Sequence, residues 1–141
     1  MDKINVKLQS TDDKVMFSAT ARNNPPIIID YFPPVGTGAG YTSLELVMAG
    51  FGSCVATTLL TVLRHRMGKP VDGIGVEVNG TVRNEHPKAL EKMEVMLAIR
   101  SGGVGEAEVG ESLKVAEELL CPVWAMIKGN VEVDIKFEIL K

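Results

Sequence analysis

The stretch from Ser43 to Met67 constrains this chain more than any other. Read as a helix, it has both ends marked. Thr42 stands at the N-cap with Glu45 three residues later, an S/T-x-x-E capping box that satisfies backbone N–H groups otherwise left without partners. Arg64, His65 and Arg66 fall at the negative end of the helix dipole, with Gly68 and Pro70 just beyond. At 1.5 Å per residue such a helix is about 37 Å long. From Leu44 to Leu63 it is apolar nearly all round, which implies burial on most sides. Ala49, Gly50, Gly52, Ser53 and Ala56 are small, so another backbone can approach closely. A glycine inside a helix costs up to about 1 kcal/mol relative to alanine. The two beside Cys54 therefore point to close packing or to access to the sulfur. A helix too apolar for one small domain to wrap points to a partner surface, most simply a second copy of the chain.

The rest of the composition narrows the options. The apolar stretch is interrupted by Glu45, Ser53 and several Gly and Thr residues, which reads as too polar for a membrane span. Met1–Val6 alternates polar and apolar residues and lacks the apolar centre of a signal peptide. The expectation is a soluble, cytoplasmic protein with no membrane partner. The 141 residues fit one domain over 1–141, with 45% hydrophobic residues available for a core. Aromatics make up only 5%, so that core must be aliphatic and Met-rich. A net charge of −3 argues against a nucleic-acid partner, which needs a dense Lys/Arg face. The one basic cluster, Arg64, His65, Arg66 and Lys69, is explained by the helix end.

Around the central helix the pattern is that of strands. Ile4, Val6 and Leu8 alternate, Ser10–Asp13 supplies turn residues, and Val15–Ala21 reads as the returning strand of a hairpin. Asn23-Asn24-Pro25-Pro26 breaks it before a third strand over Ile27–Tyr31. Beyond the helix, Val71–Arg83 and the alternation Met93, Val95, Leu97, Ile99 give two more strands. A helix follows from about Glu108 to Leu120, interrupted by Cys121-Pro122, and a short helix runs on to Lys128. Val131, Val133, Ile135, Phe137 and Ile139 alternate with charged residues in a terminal strand. Strands separated by helices at two places predict an α+β fold, mostly antiparallel, around a long buried helix.

Cys54 and Cys121 are the only cysteines. In a reducing compartment such a pair is more often redox-active or free than a structural staple. Neither lies in a CxxC, and His65 and His86 are not spaced as ligands around them, so no metal and no cofactor is expected.

Three motifs, in order, resemble one family. Thr42-Ser43-Leu44-Glu45-Leu46 with Ala49-Gly50-Phe51-Gly52-Ser53-Cys54 resembles the helix bearing the first cysteine of OsmC/Ohr-type proteins. Glu85-His86-Pro87 resembles their His-Pro connection, and Cys121-Pro122-Val123 their second-cysteine motif. The resemblance implies an intertwined homodimer with each long helix at its centre and the cysteines meeting at the subunit interface. It also implies thiol-dependent reduction of hydroperoxides, organic ones especially, with a thiol reductant. Cys54 would be the peroxidatic cysteine and Cys121 the resolving one.

A peroxidatic cysteine reacts as thiolate, whereas a free cysteine is mostly protonated at neutral pH and burial raises its pKa further. The family meets this with an arginine from the N-terminal strand region, held by a glutamate near the helix start. Arg22 and Glu45 are the candidates here. Glu45 lies nine residues before Cys54, where the reductases place theirs ten before, and the capping box gives it a structural role as well. Arg22 has no match to a family motif. For Cys121, the start of a helix is expected to favour the thiolate. Met48, Phe51 and Trp124 are candidates for an apolar substrate wall, with core packing as the alternative. Beside the reductase stand two other readings: a dimer of the same type that binds a small apolar or thiol-reactive ligand without catalysis, and a structural dimer with inert cysteines.

Overall fold

The capping box forms in the computed structural model, which describes residues 2–141. The Thr42 N–H donates to Glu45 Oε1 at 2.8 Å and the Glu45 N–H to Thr42 Oγ1 at 3.2 Å. Helix α1 then runs over Ser43–Thr61 and widens into a π-helix over Val62–Arg66, where the Met67 N–H reaches the Val62 carbonyl at 2.9 Å. Gly68 ends it with φ of +64°, a conformation that glycine adopts without steric cost. The chain divides into two compact units, Met1–Val47 and Met48–Lys141. Their boundary falls inside α1, not in a linker.

In the N-terminal unit, β1 (Lys7–Ser10), β2 (Phe17–Thr20) and β3 (Ile27–Ile29) form an antiparallel sheet in that order. Asp12 Oδ1 accepts the N–H groups of Lys14 and Met16 and so shapes the first turn. The first strand starts at Lys7, three residues later than the alternation from Ile4 predicts, because β2 offers partners only from Thr20 back to Phe17. After β3 the loop folds back so that Ile29 bridges Tyr41. A Cβ on Gly40 would run into the Ile28 carbonyl, so that return requires glycine.

The C-terminal unit holds β4 (Gly73–Val82), β5 (Leu90–Arg100) and β6 (Glu132–Leu140), ordered β4-β5-β6. β4 and β5 are antiparallel, whereas β6 runs parallel to β5 from Lys92↔Glu132 to Arg100↔Leu140. A parallel pair needs a crossover. Here it is α2 (Glu106–Val115), a π-helical turn over Ala116–Leu120, and α3 (Pro122–Ile127). Three of the four strand pairings are antiparallel, in keeping with the expected α+β class.

The core explains why α1 is apolar. Phe51, Val55, Leu59 and Leu63 recur every fourth residue and join Met93, Val95, Leu97 and Ile99 of β5 in one buried cluster. Each such side chain contributes roughly 1.5–3 kcal/mol by leaving water. A Cβ on Gly52 would stand 3.0 Å from Val78 and 3.3 Å from Val76, so this glycine lets α1 lie close on β4. Gly50 faces open space. The sequence reading of this helix as too polar to span a membrane is corrected: it is long and apolar enough. Its fully buried residues mark it as a core helix.

Candidate active site

The C-terminal unit brings two sulfurs together. Cys121 Sγ donates to Cys54 Sγ at 3.0 Å, and both cysteines are free thiols. Cys54 sits in the middle of α1, half-exposed, with the Thr58 hydroxyl hydrogen-bonded to its carbonyl at 2.9 Å. Cys121 is buried and stands at the N-cap of α3, in extended backbone between the π-helical turn and Pro122. Its N–H closes the π turn onto the Ala116 carbonyl at 2.9 Å. Pro122 suits the first helical position, where no N–H is needed.

The expectation that a helix start makes Cys121 a thiolate is reversed. Burial pushes its thiol from the ordinary 9.0 up to about 11, and the hydrogen bond it donates to Cys54 adds to this. The backbone N–H groups of Trp124 and Val123 pull the other way and lose. Desolvation therefore outweighs the end of a six-residue helix, and Cys121 keeps its proton at neutral pH. As donor it leaves Cys54 the acceptor, and Cys54 is also the more accessible of the two.

The remaining candidates are placed as follows. Phe51, three residues before Cys54, and Trp124, three after Cys121, are buried core residues whose rings meet edge to face, with centroids 5.6 Å apart at 87°. Such a pair contributes about 0.5–1.5 kcal/mol beyond its buried area. Met48 is half-buried and lies over Gly80, where a Cβ would come within 3.1 Å of its Sδ and Cε. In the N-terminal unit, Glu45 closes the capping box and also lines a cavity of about 590 Å³ with Ile27, Ile28, Ala39 and Tyr41. Arg22 lies in the same unit, exposed in the turn after β2, with φ of +57°. Among the described residues it forms no ion pair and no side-chain hydrogen bond.

Sequence reasoning missed Asp30. Its buried carboxylate accepts the Thr37 hydroxyl at 2.7 Å and the N–H groups of Tyr31, Ala39 and Thr37. Led by the Thr37 hydroxyl, these bonds hold it at about 2 against the opposing effect of burial. The signal was available in Asp30 followed by a Gly- and Thr-rich loop, which can turn its N–H groups inward. Among the described residues no three His, Cys, Asp or Glu side chains cluster to hold a metal ion.

Fold and sulfur pair define an α+β protein with a two-cysteine centre carried on its central helix. The chain belongs to the OsmC-like protein family, whose profile matches residues 36–136. Among solved structures it resembles a hypothetical protein from Aquifex aeolicus VF5 (TM-score 0.84, 24% identity, covering 99% of this chain and 97% of that one). An OsmC-like protein from Mycoplasma pneumoniae is similar too (0.82, 17%, 99% of each chain). So is an organic hydroperoxide resistance protein from Elizabethkingia anophelis (0.73, 18%, 99% and 97%). At these identities the likeness speaks for the fold. No curated protein sequence matches the chain.

Proposed function

We propose that this protein is a cytoplasmic, homodimeric hydroperoxide reductase of oxidative-stress defence, with Cys54 as peroxidatic and Cys121 as resolving cysteine. The observation that carries the reading is the 3.0 Å approach of the two sulfurs, with the buried one donating a hydrogen bond to the accessible one. The Cys54 sulfur attacks the hydroperoxide O–O bond; the alcohol leaves with a proton, and Cys54 becomes a sulfenic acid. The Cys121 sulfur then displaces that hydroxyl as water and closes a disulfide. Two thiols of an external reductant restore the pair, so two electrons per cycle pass from thiols to peroxide. A resolving thiol already in place protects Cys54 from overoxidation.

Two further observations support the wider reading. A chain with only two cysteines, in no staple-dense pattern, suits a reducing compartment. The N-terminal unit leaves Ile4, Phe17, Ile28, Phe32, Tyr41 and Leu44 exposed, apolar surface that a second copy would cover. The Elizabethkingia protein's name, for organic hydroperoxide resistance, points the same way for activity. A second reading, a dimer that binds an apolar ligand without catalysis, draws on the cavity beside Ile27, Ile28 and Glu45.

Free-thiol count and intact mass, before and after one equivalent of cumene hydroperoxide, decide between them. The reductase loses two thiols and about 2 Da, and both Cys54→Ser and Cys121→Ser abolish this. Two thiols left unchanged in the wild type sink the reductase and favour the binding protein.

A further inference from the structure

We propose that Phe51 and Trp124 form a positioning clasp that holds Cys121 within bonding reach of Cys54; the proposal rests on the two-cysteine reading above. The two pairs are spaced alike. Phe51 precedes Cys54 by three residues on α1, and Trp124 follows Cys121 by three on α3. Residues three apart on a helix share a face. The sulfur contact at 3.0 Å and the ring contact at 5.6 Å thus form two successive rungs between the same two segments.

The clasp is what α3 lacks otherwise. Six residues are far too few for a helix to persist on its own, and this one is flanked by a π-helical turn and by Gly129 at φ of +90°. Trp124 is its only fully buried residue, with Val123 and Ile127 packed half-buried beside it. The ring that anchors α3 therefore also sets where its N-cap residue, Cys121, stands. Phe51 has no exposed surface, so its ring is a fixed wall, and the edge-to-face geometry at 87° specifies the angle of approach. Both rings act through the placement of Cys121. This redirects the two residues from the substrate wall suggested by the sequence. It also explains why the scarce aromatics of a 5% aromatic chain are used here.

Closing the disulfide brings the sulfurs from 3.0 Å to about 2.05 Å with a fixed dihedral. Loss of the clasp should therefore spare the first step and slow the second. The test compares Trp124→Leu, which keeps an apolar side chain but removes the aromatic edge, with Trp124→Phe, which restores an edge. Each reduced protein is mixed with excess oxidised dithiothreitol, and the rate of disulfide closure is read by mass in acid-quenched samples. Oxidised dithiothreitol takes up two electrons and two protons as the pair closes. Because a misplacement of about 1 Å costs up to ~10²-fold in such steps, Trp124→Leu should lower closure by about 10- to 100-fold. Trp124→Phe should recover most of it.

In parallel, with cumene hydroperoxide, dimedone trapping of the Cys54 sulfenic acid should rise in Trp124→Leu while its rate of formation stays within about twofold. Equal closure in Trp124→Leu and wild type overturns the proposal. So does an equal loss of both steps, which would mark a general packing defect. Should Trp124→Leu not fold, Phe51→Leu removes the same contact from the other side and carries the same expectations. Trp124 is the only tryptophan, so its emission reports the clasp in the wild type and in Phe51→Leu, while circular dichroism checks the fold of the Trp124 variants. A wild type that closes with dithiothreitol yet ignores hydroperoxide refutes the reductase reading and leaves the clasp to be judged by the closure data.

Discussion

The two units of this chain use their apolar residues in opposite ways. In Met48–Lys141, Phe51, Leu59, Leu97 and Ile99 are wholly shielded and the core runs through α1, β5 and the crossover helices. In Met1–Val47, Ile4 is 94% and Phe32 59% exposed, and among the described hydrophobic residues only Ala19 is buried. What orders that unit is polar: the Asp30 carboxylate with its four donors, Asp12 in the first turn, and the Thr42–Glu45 box. One unit is held by packing and the other by hydrogen bonds. Hydrophobic content alone therefore says little about where a core lies.

The largest test of that contrast is Leu59→Ala, which leaves a cavity in the packed unit and should cost about 2–5 kcal/mol in urea unfolding. Ile28→Ser in the other unit removes an exposed side chain and should cost less than about 0.5 kcal/mol in a monomer. If a second copy covers it, the wild type becomes more stable with rising protein concentration and Ile28→Ser weakens that dependence.

Next in size is pH. The Cys121 thiol is held neutral in the folded state up to about 11 and ionises at 9.0 once unfolded. Its contribution to stability is thus complete below pH 9.0 and is lost as the pH rises from there to about 11. Urea unfolding of reduced protein should show this loss, and Cys121→Ala should flatten it. Asp30 has the opposite sign. Its contribution is present above its unfolded value of 3.8 and is lost as the pH falls through about 2. Asp30→Asn should remove hydrogen-exchange protection from the Thr37 and Ala39 amides at neutral pH while leaving β5 protected.

The smallest effect belongs to Arg22. Its positive φ is strained for any residue with a side chain, so Arg22→Gly should stabilise slightly, by at most about 1 kcal/mol. If peroxide turnover falls in that stabilised variant, Arg22 acts in catalysis and not merely in the turn.

Much of this was legible in the sequence for local reasons. Thr42 and Glu45 wrote the start of α1, Gly68 its end, and the alternation from Val131 to Ile139 the last strand. Alternation tells which face of a strand is buried but not which way its neighbour runs, so the parallel pairing of β6 with β5 was not readable. The approach of Cys54 to Cys121 spans 67 residues and no spacing rule encodes it; only the family resemblance brought them together. The titration of Cys121 was misjudged because a helix end is visible in sequence and desolvation is not.

The crossover between β5 and β6 bears on how the chain folds. Leu90–Arg100 must wait for Glu132–Leu140 before the parallel edge can form, and pairings this distant in sequence are slow to reach. Cys121 lies on the segment between them. On a ribosome Cys54 emerges long before the residues that complete that edge, so an early chain displays a lone sulfur and cannot close the native pair. The sulfur pair is complete only in the finished fold, and a truncated or half-made copy carries Cys54 without Cys121 beside it.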